Sequence, residues 1–334
     1  LDLVCSYNEC KLVIIIPCII YSLYDNCYEM KVLWIKDSKT GHEKQVSVLL
    51  DELSKDLDLE IDERIVNGIF PFFRSINQVQ EKYYDVIIGA GHKTYSFLLD
   101  IKKYQKKDCK TIAILSPTFK KKYYDIICAP IHDKNKYKSL DNVIFYEGSL
   151  AKVSTNEPNI NTTMIAIGGK NKHYKFEEDH LLSQINFFIS LYPNNNIFIF
   201  NSRRTPDSFN KKLDKITGDY SNTKFVNINH NQSISMDKVM EEASTKLISR
   251  DSINMIYESL STRGDTYLLD MKYINPNNKV VKNVKNLIKN RKVGYVNTLD
   301  IIDGISKIKL EKQNSYNEVY AEVEIVAFEI KKYL

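Results

Sequence analysis

The sequence predicts an α/β protein built as two Rossmann-like domains facing each other across a cleft. Three observations lead there. From residue 31 onward, short continuous apolar runs alternate with stretches of helical spacing. Such runs suit parallel strands covered on both faces, and strand–helix alternation is what builds a parallel sheet. The alternation halts in a polar stretch, Val153 to Thr163, and then restarts. The chain has 334 residues, enough for two domains of roughly 100–200 residues each.

The first 29 residues are set apart from that pattern. Leu12 to Tyr24 is apolar but is broken by Pro17. It falls short of the ~20 residues that a membrane-crossing helix needs. It also lacks the basic start and small-residue cleavage site of a secretory signal. The chain begins with Leu1, and Met30 stands just before the first strand-like run. Residues 1–29 are therefore expected to be an extension outside the fold, with Met30 as the natural start. The alternative is a membrane-interacting segment.

Residues 30–152 form the first expected domain. Its strands are Val32–Ile35, Leu59–Ile61, Val86–Ile88, Ile112–Leu115, Ile126–Cys128 and Val143–Tyr146, with helices such as Gln45–Leu53 and Tyr95–Tyr104 between them. Pro158 and several asparagines mark Val153–Thr163 as a linker. Residues 164–300 form the second domain. Its strands are Met164–Ile167, Ile197–Phe200, Phe225–Ile228, Leu247–Ile248 and Thr266–Leu269. Its helices are Phe176–Leu191, Pro206–Ile216, Met236–Ala243 and Ser252–Ser261. Residues 301–334 are expected to be helical, closing with Ser315–Leu334 and packing back on the first domain.

Composition narrows the function classes. Hydrophobic residues make up 43% and charged residues 27%, ordinary for a protein with real cores. The net charge of +5 suits an anionic ligand or an anionic membrane surface and does not call for nucleic acid. Of six cysteines, four lie in the first 27 residues, with no CxxC pair and no accompanying histidine cluster. That argues against zinc and fits a reducing compartment. A cytoplasmic location is expected, with peripheral attachment at the inner face of a membrane.

Ligands of open α/β sheets bind at the carboxyl ends of strands, so the loops there are read first. Lys36 to Glu43 follows the first strand and opens a helix. Gly41 permits a close backbone approach, and His42 near a helix start can take a proton near neutral pH. An exposed polar histidine on a helix turn fits the same residues. Gly89-Ala90-Gly91 follows the third strand. Its backbone N–H groups can hold an anion, or it is a plain strand–helix turn. In the second half, Gly168-Gly169-Lys170 and Ser202-Arg203-Arg204-Thr205 end successive strands. Glycines that free the backbone, hydroxyls and forked guanidiniums together suit one diphosphate, with solvated basic loops as the alternative. Asp251 or Ser252 caps the next helix, and Glu258, two turns on, can accept ribose hydroxyls. A solvent-facing glutamate is the plain alternative. There is no Ser-His-Asp elbow, HExxH or P-loop, and no DxD pair in a metal-site context, so no metal is expected.

KDSKTGHEKQ, DVIIGAGHKT, ILSPTFKKKYYDIICAPIHD, IAIGGKNKHYKF, NSRRTP and LISRDSINMIYES occur in this order. Together, over residues 31 to 275, they resemble the mitochondrial-fission "elongated mitochondria" family and its bacterial, glycosyltransferase-like relatives. The resemblance implies a GT-B fold, similar to the N-acetylglucosaminyltransferase of peptidoglycan synthesis and to lipid A disaccharide synthase. It implies His42 as catalytic base and a donor site ending in Glu258. This chain has Ser38-Lys39-Thr40 where the peptidoglycan enzyme is richer in glycine. The expectation is an inverting, metal-independent glycosyltransferase with no cofactor. Its donor would be a nucleotide-diphosphate sugar of uridine type, and its acceptor an envelope or lipid-linked glycan. The donor would be held by Gly168, Gly169, Lys170, Ser202, Arg203, Arg204, Thr205, Ser252 and Glu258, with Gly41, Gly89 and Gly91 as acceptor or anion loops. For the family's plant members the resemblance implies recruitment of a dynamin-like protein to a membrane, which makes a non-enzymatic adaptor the alternative. A nucleotide-sugar epimerase using the same cleft also stays open.

Overall fold

A computed structural model describes residues 29–66, 82–230, 233–301, 305–314 and 318–334. The apolar run Leu12–Tyr24 lies outside these described residues. In chain order the elements of the first half are β1 (Met30–Lys36), α1 (Thr40–Leu53), β2 (Leu59–Ile65), β3 (Val86–Ala90), α2 (His92–Lys102), β4 (Lys110–Ile114), β5 (Ile126–Pro130) and β6 (Val143–Tyr146). They make one parallel sheet in the order β2-β1-β3-β4-β5-β6. Val32 to Ile35 and all five residues of β3 are buried, because helices cover both faces. α1 sets Val46, Leu49, Leu50 and Leu53 on one stripe, spaced i, i+3, i+4 and i+7, against that sheet.

The second half holds β7 (Asn159–Ala166), α3 (Glu178–Leu191), β8 (Asn196–Phe200), α4 (Asp207–Asp219), β9 (Thr223–Val226), α5 (Met236–Glu242), β10 (Ala243–Ile248), α6 (Ile253–Leu260), β11 (Asp265–Leu268), α7 (Lys279–Lys289), β12 (Gly294–Ile301) and β13 (Ile305–Glu311). The sheet order is β13-β12-β11-β10-β7-β8-β9, parallel except for the β12–β13 pair. α8 (Glu322–Lys331) then returns to the first half. Its Val323, Val326, Ala327 and Ile330 join the core beneath α1, and Lys331 pairs with Asp56. Among the described residues no helix is long and apolar enough to cross a membrane.

Three elements differ from the sequence expectation. Residues 301–334 are not all helical, since β12 and β13 form an antiparallel edge. β13 alternates Lys307 and Lys309 with Ile308 and Leu310, a period of two, and only the apolar pair packs on the core. The polar stretch gives way to β7 at Asn159, whose first three residues are exposed. β10 is six residues long rather than two, and Lys246 in its middle hides it. Lys246 is fully buried, and its Nζ donates to Ser259 O (2.9 Å), Thr262 Oγ1 (2.6 Å) and Arg263 O (2.7 Å). Its Nζ thus closes the C-terminal end of α6, where a cation is favoured, while burial pushes its pKa down to about 7.

The packing of α8 is testable. Ile330→Ala should cost about 2–4 kcal/mol in urea unfolding, because the site is fully buried. Ile325→Ala on the same helix, half exposed, is expected to change stability by under about 0.5 kcal/mol.

Candidate functional site

Each sheet reverses its direction of growth beside its first strand. The reversal lies between β1 and β3 in the first sheet and between β7 and β10 in the second. Loops leaving the two strands part there and open a crevice at their carboxyl ends.

In the first half that crevice holds a carboxylate–imidazole pair. Asp37 follows β1, and its side chain is fully buried. Its Oδ1 accepts the Lys39 N–H at 3.1 Å, and its Oδ2 lies 2.8 Å from His42 Nδ1. The turn between them needs Ser38 at φ +63°, after which α1 places His42 in its first turn. Gly91, after β3, forms the wall behind the pair. Its φ is +91°, and a Cβ there would stand 2.3 Å from His42 Nδ1 and 2.8 Å from Asp37 Oδ2. Gly89 does something else: a Cβ would meet Thr94 Oγ1 and the Ile35 carbonyl, so it packs β3 against its neighbours. Gly41 brings its loop against the other half, where its carbonyl accepts Asn254 Nδ2 at 3.4 Å.

In the second half the glycine loop is already engaged. Gly168 N–H donates to Ser249 Oγ at 2.7 Å, and Gly169 N–H donates to Asp251 Oδ2 at 2.9 Å. The hydroxyls of Ser202 (2.7 Å) and Thr205 donate to the Gly168 carbonyl. Gly169 lets the loop lie directly on the Arg204 backbone. This corrects the expectation that these N–H groups and hydroxyls point at a diphosphate. Buried backbone groups must find partners, and here the protein supplies them. Asp251 is the centre of that arrangement. Its fully buried carboxylate takes Gly169 N–H, Ser249 Oγ (2.6 Å) and Arg204 Nη2 (3.1 Å). Neither Asp251 nor Ser252 caps α6 through its side chain, contrary to expectation. Among the described residues, groups of this region left without a partner inside the second half are the exposed Lys170 and Arg203 side chains and the uncapped start of α6 at Ser252. Arg203 reaches across to Thr40 Oγ1.

Glu258 projects from α6 into a cavity of about 480 Å³ between the halves, lined by Trp34, Lys36, Thr40, Lys44 and Asp237 among others. There it pairs with Lys44 of α1 at 3.1 Å rather than facing solvent, and Lys44 also holds Asp237 at 2.8 Å. Burial pushes the Glu258 carboxyl above its ordinary value, and a lysine shared with Asp237 offsets this only in part. Burial lowers Lys44, but the two carboxylates outweigh it and raise it. Burial likewise raises Asp251, against the hydrogen bonds and Arg204. His42 turns to the Asp37 side of α1 and is not among the residues lining this cavity. Asp37, Lys44 and Asn254 were missed in the sequence. An acidic residue five positions before His42 in one strand–helix turn was the available signal for Asp37.

All six histidines stand on this side of the sheets. His42, His92 and His132 follow β1, β3 and β5, while His173 and His180 follow β7, and His230 follows β9. Burial pushes His132 and His173 below the ordinary imidazole value, helped at His173 by Lys172 and Arg204.

A family model described as "Mitochondrial fission ELM1" matches residues 40–334. No curated protein matches the chain in sequence. Among solved structures, the calicheamicin glycosyltransferase CalG4 is similar at a TM-score of 0.51 and 9% identity, over 92% of this chain and 98% of that one. This likeness shows the fold, a GT-B-like pair of Rossmann-like domains. S. aureus MnaA, solved with UDP, aligns at 0.49 and 14% identity over 91% and 96%. The UDP-GlcNAc 2-epimerase of Neisseria meningitidis, bound to UDP-GlcNAc, aligns at 0.49 and 11% over 91% and 100%.

Three substitutions check the geometry. Gly91→Ala is expected to cost about 1–3 kcal/mol and to break the Asp37–His42 contact, since it adds strain at positive φ. Gly218→Ala in α4, with open space around it, is expected to gain up to about 1 kcal/mol. Because the Glu258 carboxyl is raised, the folded state binds its proton more tightly than the unfolded chain. That contribution is full below the ordinary glutamate range and is lost as pH rises through the raised value. Glu258→Gln should therefore gain stability relative to wild type as pH increases across that window, read by urea unfolding at several pH values.

Proposed function

We propose that this chain, which belongs to the mitochondrial fission ELM1 family, transfers a sugar from a uridine-type nucleoside-diphosphate donor to an acceptor hydroxyl, inverting the anomeric centre without a metal ion. The observation that carries the reading is the buried Asp37 held 2.8 Å from His42 Nδ1 at the switch point of the first sheet. With Nδ1–H donated to Asp37, Nε2 has a lone pair free for an acceptor O–H. The carboxylate orients the ring and stabilises the imidazolium that forms.

The acceptor oxygen gives its proton to His42 Nε2 and bonds to the anomeric carbon. The bond from that carbon to the diphosphate breaks on the opposite face, and its electron pair leaves on the phosphate oxygen. Arg203, Lys170 and the uncapped start of α6 at Ser252 would offset that charge. Glu258 would hold the ribose, which requires Lys44 to release it. CalG4, similar over 92% of this chain and described as a glycosyltransferase, motivates the reaction class.

A second reading has its own observation. Gly168, Gly169, Ser202 and Thr205 spend their polar groups inside the protein, and Lys44 occupies Glu258. An adaptor that binds a partner at a membrane would need none of them free.

Thermal melting with nucleoside diphosphates at millimolar concentration separates the two. A ligand at about 100 times its Kd adds about 2.7 kcal/mol, a shift easily read. His42→Ala is expected to keep that shift and to lower turnover about 10²–10⁴-fold. Product analysis then distinguishes transfer from epimerisation. No shift with any nucleoside diphosphate, together with partner capture that survives Arg203→Ala and Glu258→Ala, would establish the adaptor instead.

A further inference from the structure

Charge is distributed unevenly along this chain. Residues 101–140 hold eleven lysines, no arginine and no glutamate, against three aspartates, a net +8, while the whole chain carries +5. The remainder is therefore net negative. The fold gathers this stretch on one side of the first sheet. The turn after α2 carries Lys106 and Lys107, the turn before β5 carries Lys120 and Lys122, and the segment after β5 carries Lys134 and Lys138. All six are exposed, and among the described residues no carboxylate pairs with any of them.

The three segments are tied side by side. Lys102 at the end of α2 pairs with Asp125 at the start of β5. Lys121 Nζ donates to the Lys136 carbonyl at 3.0 Å and lies 4.5 Å from the centre of the Tyr137 ring. Asn142 Nδ2 donates to the carbonyls of Lys121 and Tyr124. Between the lysines stand two outward tyrosines, Tyr104 at 49% and Tyr123 at 70% exposure.

We propose that this lysine–tyrosine face docks on an anionic lipid surface. Six like charges without an ion-pair partner, held together, repel one another, and a surface of opposite sign relieves that repulsion. Each lysine brought near an anionic leaflet adds about 1 kcal/mol of attraction, and clusters of four to eight are what anionic lipid surfaces recognise. Lysine stems and tyrosine rings have apolar bodies and polar tips, which suits the headgroup layer. The absence of arginine argues against nucleic acid, whose phosphates and base edges are read best by forked guanidiniums. The end of α2 and the start of β5 lie at the amino ends of the strands, and the cleft lies at the carboxyl ends. Docking through the four lysines of the turns after α2 and before β5 leaves the cleft open, so the inference stands apart from the reading of the cleft.

Sedimentation of the full chain with vesicles tests it. Phosphatidylcholine vesicles containing about one-third phosphatidylserine are expected to retain at least about tenfold more protein than pure phosphatidylcholine at about 0.1 M salt. K106E/K107E/K120E/K122E, shown folded by thermal melting, is expected to lose about tenfold or more of that retention. K211E/K215E, which reverses two exposed lysines of α4, is expected to keep it. Should the fourfold reversal fail to fold, the same four positions changed to glutamine are expected to lose a smaller but clear part. Equal retention of the substituted face and wild type overturns the proposal. So does equal loss in the α4 control, or capture by a single-stranded nucleic acid without vesicle binding.

Discussion

A parallel strand can be followed by its neighbour only through a right-handed crossover, and the chain can add strands on either side of the first one. In both halves it does so on both sides, β2 against β3 around β1, and β8 against β10 around β7. Loops from the two directions then part above the central pair. Asp37, His42 and Gly91 meet because β1 and β3 are neighbours at such a point. Gly168, Gly169, Ser249 and Asp251 meet because β7 and β10 are. The chemistry of both crevices follows from where the backbone turns back.

The crevices are finished differently. In the first, a carboxylate is sunk beneath an imidazole, Asp37 under His42. In the second, Asp251 acts as the resident anion of the glycine loop, so the loop is structured before any ligand arrives. Contacts across the halves, Lys44 with Glu258 and Asp237, Arg203 with Thr40, and Lys279 with Asp133, hold the two crevices toward each other. A ligand that enters between them replaces at least some of these pairs, and its affinity is a difference between two sets of contacts.

Much of the architecture was legible because parallel strands are short and apolar on both faces. Val86–Ile88 or Ile126–Cys128 could hardly be anything else. The strand readings failed where a charged residue stood inside one. Lys246 interrupts β10 in the sequence, yet in space it ends a helix rather than meeting water. Lys307 and Lys309 made an edge strand resemble a helix surface. For the site, residue types were legible and partners were not. His42 and Gly91 could be named, but that Gly91 backs His42 depends on β1 lying beside β3, which no spacing encodes. The glycine pair of the second half was recognised for its backbone freedom. Its use differs, because the acceptors of its two N–H groups, Ser249 Oγ and Asp251 Oδ2, lie about eighty residues further along the chain.

The placement of the histidines has a practical consequence. With three on each half, all beyond the carboxyl ends of strands, imidazole is a natural label for one surface of this molecule and for nothing else. Six Hε1 ring-proton resonances form a reporter array that needs no introduced probe. Any molecule that enters between the halves perturbs some of them, and the pattern of perturbed rings maps its footprint.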